Sequence, residues 1–307
     1  PQMLSSAKKI LPSQVKSITI PALRPRLAVS LNDRKHLLRL TQLFQEIQMT
    51  ATNLLQGKKG VVLGVANKRS IAWAISKGMS EAGAELAFTY QNDKLKGRVE
   101  DLVETLPGEN PLYPCDVTND EQIDSLGEGL GKDFGSIDFV VHCLAFAARE
   151  DLEHGFSETS RAGYLLAQEV SSYSLTAVSR MAAPLMKEGG SIQTLTYLGS
   201  ERAVKNYNVM GVAKAALESS VRYLAADLGE KGIRVNAVSA GPINTLAARG
   251  ISGFTDILGQ VAERAPLKRN VEIEEVAGTS VFLASDLSSG ITGEVIYVDC
   301  GYNIVGL

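Results

Sequence analysis

The chain has 307 residues, 45% hydrophobic and 21% charged, with a formal net charge of −3. This is an ordinary globular balance that gives no reason to expect nucleic acid or an anionic membrane as a partner. No apolar run reaches the length of about 18 residues that a membrane-spanning helix needs.

Residues 1–48 hold eight Lys/Arg and two Asp/Glu, a net of +6, whereas the remaining 259 carry 23 basic and 32 acidic groups, a net of −9. The first stretch is Ser-rich and broken by Pro12, Pro21 and Pro25, with a short amphipathic helix expected over 34–48. It lacks the apolar core of a secretory signal and reads as a non-catalytic extension, either a targeting peptide or translated upstream sequence before a start at Met49. A membrane- or partner-binding arm is the alternative. A cytoplasmic location follows from the rest of the chain, or an organellar one if residues 1–48 are a transit peptide.

From residue 57 strands alternate with helices. The apolar runs predict strands over 60–63, 85–90, 111–113, 137–143, 191–196, 233–239 and 294–298. Helical periodicity predicts helices over 70–81, 94–106, 119–134, 159–187, 207–229 and 271–284. The strands are continuously apolar rather than alternating, as strands covered by helices on both faces are. The expected fold is a single α/β domain, residues 49–307, with a doubly wound seven-stranded parallel sheet of Rossmann type and right-handed crossovers. Ligands in such sheets sit at the carboxyl ends of the strands.

At that end the first strand runs into Gly64, and Ser70 is placed to cap the next helix, whose amides favour an anion. Only the first glycine of a dinucleotide fingerprint is present. The second strand ends at Gln91, where such folds read the adenine ribose. Lys94, Lys96 and Arg98 follow, none of them immediately adjacent to clamp a 2′-phosphate. Asp116 follows the third strand, where a carboxylate can accept from an adenine amino group. At the fifth strand stands Tyr197, followed by Tyr207 and Lys214, seven apart and so two turns along one helix face. A phenol beside a cation suits a proton donor or oxyanion partner. Cys115, Cys143 and Cys300, and His36, His142 and His154, form no ligand spacing, so no metal is expected.

Five segments carry a resemblance: LAFTYQNDKLKGRVE at 86–100, TYLGSER at 196–202, NYNVMGVAKAA at 206–216, RVNAVSAGPINTLAA at 234–248 and SDLSSGITGEVIYV at 285–298. Together they resemble the enoyl-acyl-carrier-protein reductases of bacterial type II fatty-acid synthesis, within the short-chain dehydrogenase/reductase superfamily, over about residues 52–305. The Tyr-x6-Lys spacing separates that family from ketone reductases with Tyr-x3-Lys. The resemblance implies reduction of a trans-2-enoyl thioester on acyl carrier protein by NADH, with NADPH less favoured. It assigns catalysis to Tyr207, Lys214 and Tyr197. Gly64, Ser70, Ile71, Gln91, Asp116, Val117 and Leu144 would contact the cofactor, together with Lys214 and the loop Ile243, Asn244, Thr245, Leu246 and Ala247. Ala147, Met210, Ile251 and Phe254 would line the acyl pocket beside the two tyrosines, under a mobile lid at about 245–258. A homotetramer is implied, joined through 159–187 and 207–229. Ala145, Cys143, Cys300 and Asn244 depart from the family's frequent Gly, Ser, Gly and Arg. A carbonyl reductase of the same fold and a non-catalytic dinucleotide sensor remain as alternatives.

Overall fold

The computed structural model describes residues 53–246, 248 and 253–306. The expectations for residues 1–48, including the helix at 34–48, lie outside the described residues, as do the positions of Ala247 and Ile251. Seven strands form one parallel sheet in the order β3-β2-β1-β4-β5-β6-β7. They are β1 (Lys59–Leu63), β2 (Glu85–Tyr90), β3 (Leu112–Pro114), β4 (Phe139–His142), β5 (Gly190–Thr196), β6 (Ile233–Ala240) and β7 (Val295–Val298). The helices between them are α1 (Ile71–Glu81), α2 (Asp93–Val103), α3 (Asp120–Asp133), the single turn α4 (Glu150–Glu153), α5 (Arg161–Gln168), α6 (Ser174–Ala182), α7 (Asn208–Leu228), α8 (Phe254–Arg264) and α9 (Ile273–Ala284).

The apolar runs are continuous because alternate residues serve opposite cores. In β1, Val61 and Leu63 join Val140, Ile192 and Val235 against α3, α6 and α7. Val62 turns the other way, joining Leu86, Phe88 and Val141 against α1, α2 and α9. Where β1 and β4 lie side by side, Gly60 is paired with Phe139, and a Cβ at Gly60 would lie 2.1 Å from the Phe139 ring. A missing side chain on one strand thus seats the largest one on its neighbour, in an interior packed like a crystal.

The order of the strands reverses direction at this β1–β4 seam, the switch point at which a crevice opens beyond the strand ends. Local capping fixes the helices around it. The Ser70 hydroxyl accepts from the Trp73 amide at 3.3 Å, and Asn119 accepts from the Gln122 amide at 3.1 Å. A reciprocal pair of Glu272 and Glu275 starts α9.

The structure corrects two expectations. The stretch 159–187 is not one regular helix, because a π-helical turn, Glu169–Tyr173, joins α5 to α6. Tyr207 is the residue before α7 rather than its first helical one. Among the described residues, no helix is long and apolar enough to cross a membrane.

Candidate active site

Beyond the carboxyl ends of β4, β5 and β6 lies a cleft of about 500 Å³. Tyr207 and Lys214 both border it, joined by Tyr197 from the end of β5 and by Met210 from α7. Ile71, Ala147, Ile243, Thr245, Leu246 and Phe254 complete the expected residues on its walls. Tyr207 just before α7 and Lys214 within it thus place a phenol and an ammonium on one surface.

Tyr207 is buried, and its ring meets that of Tyr197 edge to face, with centroids 5.0 Å apart and planes at 73°. Burial, with Tyr197 and Glu218 nearby, pushes its hydroxyl well above the ordinary phenol range, and burial lifts Tyr197 to about 12. Both are therefore neutral donors at physiological pH. The backbone on either side of Tyr207 is held in the left-handed region, with φ of 64° at Asn206 and 39° at Asn208. Asparagine tolerates that region better than most residues. The Asn208 amide also donates to the carbonyls of Leu152 and His154, at 3.1 and 2.6 Å, clamping the α4 segment against the start of α7. Backbone held off its usual minima by surrounding contacts is a common way of aiming a functional side chain.

The Lys214 ammonium donates to the Leu195 carbonyl at 2.7 Å. Burial pushes it down to about 8, against the opposing pull of Cys143 and Glu218. Beneath it His142 is fully buried, with Nδ1 2.9 Å from Thr194 Oγ1 and Nε2 2.8 Å from Ser174 Oγ. Burial, then the charge of Lys214, pushes the imidazole down to about 3. His142 is thus a neutral bridge tying β4 to β5 and α6, a structural role that matches its lack of any ligand spacing.

The other described residues expected at the cofactor do not line this cleft. Gly64 has φ of 97°, and a Cβ there would lie 2.2 Å from the Cys143 carbonyl. The glycine is demanded first by the end of β4, not only by room for a pyrophosphate. Gln91 and Asp116 meet, the Gln91 amide donating to Asp116 Oδ2 at 3.1 Å. Partial burial raises the Asp116 carboxyl, but hydrogen bonds from the Thr118 amide and hydroxyl and from Gln91 outweigh it and hold the group below its usual value. Val117 is buried in the core with Leu144 packed against that cluster, so both act as a wall. Asn244 is exposed in the loop after β6.

This edge fits a dinucleotide by the chemistry of its donors. The first amides of α1 face the crevice behind a serine cap, Asp116 and Gln91 offer an acceptor and an amide at one end, and Lys214 offers further N–H groups at the other. Sequence reading passed over Ser171, in the π turn. Its hydroxyl accepts from the Phe146 amide at 2.9 Å and lies 3.7 Å from the Met210 sulfur, so it fixes the wall after β4. It also passed over Thr196 and Glu218, whose hydrogen bond at 2.5 Å is wholly buried. Neither had a signal in spacing or composition.

Residues 64–303 match the family profile described as enoyl-(acyl carrier protein) reductase. The Bacillus cereus enoyl-acyl-carrier-protein reductase (NADH) FabI is 58% identical over 254 residues, covering 82% of this chain and 99% of that protein. The Staphylococcus aureus (strain MRSA252) enoyl-acyl-carrier-protein reductase (NADPH) FabI is 56% identical over 252 residues, covering 82% and 98%. Among solved structures, the B. cereus enzyme with NADP+ and indole naphthyridinone superposes with a TM-score of 0.82 at 58% identity, covering 83% of this chain and all of that one. The Anaplasma phagocytophilum enzyme in complex with NAD gives 0.80 at 48% identity, covering 83% and 97%. With its parallel sheet, its paired tyrosines and its buried lysine, this chain belongs to the enoyl-acyl-carrier-protein reductase family.

Proposed function

We propose that NADH is the reductant with which this chain saturates the trans-2 double bond of enoyl-acyl-carrier-protein thioesters, and that Tyr207 and Lys214 divide the work of the site. The observation that carries this reading is the convergence of a neutral phenol and a buried ammonium on one largely apolar cleft. When bound, a reduced nicotinamide supplies the hydride that reaches C3 of the acyl chain. As the double bond is reduced, negative charge moves onto the thioester oxygen, and a proton then reaches C2 to complete the saturated chain. Tyr207, poised as a donor, hydrogen-bonds that oxygen, a stabilisation that grows with the charge. Lys214 adds a positive field behind it and donates to the ribose hydroxyls. Tyr197 holds the Tyr207 ring from its edge. Ala147, Met210, Ile251 and Phe254 receive the acyl chain, and residues 245–258 act as the lid that excludes water.

Gly64, Ser70 and Ile71 would hold the pyrophosphate. Gln91, Asp116, Val117 and Leu144 would hold the adenosine half, and Ile243, Asn244, Thr245, Leu246 and Ala247 the nicotinamide half. NADH is preferred because Gln91 stands at the ribose position and no Arg adjoins it. The test is oxidation of NADH and of NADPH with crotonyl and, in parallel, acetoacetyl thioesters. Turnover of crotonyl thioester with NADH the more efficient donor is expected. Turnover of acetoacetyl alone would move the chemistry to a carbonyl, and equal efficiency with NADPH would refute the role of Gln91.

The protein works in the cytoplasm as a homotetramer joined through α5, α6 and α7. In support, Leu165 is 61% and Tyr223 78% exposed on those helices, surface that such an assembly would cover. Light scattering is expected to return four times the chain mass, and a single chain mass would overturn the assembly.

A further inference from the structure

We propose that Glu218 is a positioning residue of this active site, supplying the counter-charge to Lys214 and locking the end of β5 onto α7. The proposal rests on the reading of Lys214 as the charged group beside the cofactor ribose. Glu218 lies one helical turn beyond Lys214, so both project from the same face of α7. It is almost entirely buried, a placement that is costly for a carboxylate without partners. Its direct partner is the Thr196 hydroxyl, which donates to Oε1 at 2.5 Å. The residue before Thr196 is Leu195, whose carbonyl accepts from Lys214, and the residue after it is Tyr197, whose ring meets Tyr207. Three consecutive residues at the end of β5 are thus held by three side chains on or next to α7. Loss of the Glu218 bond releases the middle one.

Charge is the second half of the argument. The titratable groups around Lys214 are His142 from β4, Cys143 just after it, Tyr197 just after β5, Tyr207 just before α7, and Glu218 from α7. Burial keeps the His142 imidazole uncharged, the Cys143 thiol protonated up to about 12, and both phenols protonated. On the far side, Tyr297 faces Glu218 and donates its hydroxyl to Glu201, while Asp299 faces Tyr197. Among these described groups, Glu218 is therefore the one carboxyl, and its influence favours the Lys214 ammonium. Its pull acts through a water-poor interior, where charge is weakly screened.

The test uses the full chain and follows NADH affinity, by fluorescence without acyl substrate, and kcat/KM for NADH, each against pH. Wild type should lose affinity on an alkaline limb as Lys214 deprotonates. Glu218→Gln keeps an acceptor for Thr196 but removes the charge, and should move that limb down by about one pH unit. Glu218→Asp keeps the charge while shortening the reach to Thr196. It should leave the limb in place and lower kcat, and it also serves if the glutamine variant does not fold. A wild type without the limb removes the reading of Lys214, and this proposal with it. A limb present but unmoved in Glu218→Gln, or moved equally in Glu218→Asp, overturns the proposal alone.

Discussion

Tyr207→Phe is expected to lower kcat by about 10²-fold while the folded state and the affinity for NADH stay close to wild type. Removal of a single donor to a developing oxyanion typically has an effect of that size. The phenylalanine ring keeps the edge-to-face contact with Tyr197 and the same volume in the wall of the cleft. The hydroxyl is the only group lost. The raised pKa of Tyr207 adds a constraint, because the phenol stays protonated throughout the accessible pH range and contributes no limb of its own near neutrality. Stopped-flow hydride transfer to crotonyl thioester would separate chemistry from release. A variant with unchanged single-turnover rate would remove Tyr207 from the reaction.

The second expected result is a pair of pH dependences of opposite sign, both set by Lys214. Its folded value is pushed from 10.5 down to about 8, first by burial. Activity that needs the ammonium should therefore fall as pH rises through about 8. Stability runs the other way, because the unfolded chain holds this proton more tightly than the folded one does. The cost of burying the charge, about 3 kcal/mol, is fully present below pH 8 and is relieved between about pH 8 and 10.5. Lys214→Met should abolish both trends, with a loss in kcat/KM of about 10²-fold. Urea denaturation of wild type and variant across that window is the measurement. A wild-type stability that falls relative to the variant as pH rises would overturn the assignment. Lys214→Met should also leave the Leu195 carbonyl without its donor, so a loose end of β5 is part of the expected phenotype.

The strands were legible because each is buried on both faces, and that demand writes itself into the chain as an uninterrupted apolar run. β2 spans the residues its apolar run predicts, and the Ser70 cap marks the start of α1. Helices whose role lies in contacts distant along the chain were read less well. The turn Glu169–Tyr173 looks like ordinary helix in sequence, since the extra residue of a π turn leaves no mark in composition. Its consequence, Ser171 beneath Phe146, spans 25 positions. The helix α8 overlaps the expected lid because Phe254, at its start, serves the reading of a pocket wall as well as that of a helix.

Within the site, the available chemistry is legible in the chain alone: a tyrosine and a lysine seven apart, a second tyrosine at a strand end, and the five motifs that mark the family. Those are properties of local spacing, and local spacing survives in a one-dimensional record. Only the tertiary structure decided the state in which those groups work. Burial turns Lys214 into a weak acid near neutrality and keeps both phenols protonated, and burial is a sum over neighbours from β4, β5 and α7 that no single segment contains. Glu218 shows the difference most plainly. A glutamate in the middle of a helix reads as part of a solvated face. Here that face is covered, and the buried carboxyl accepts from Thr196 one helical turn beyond Lys214.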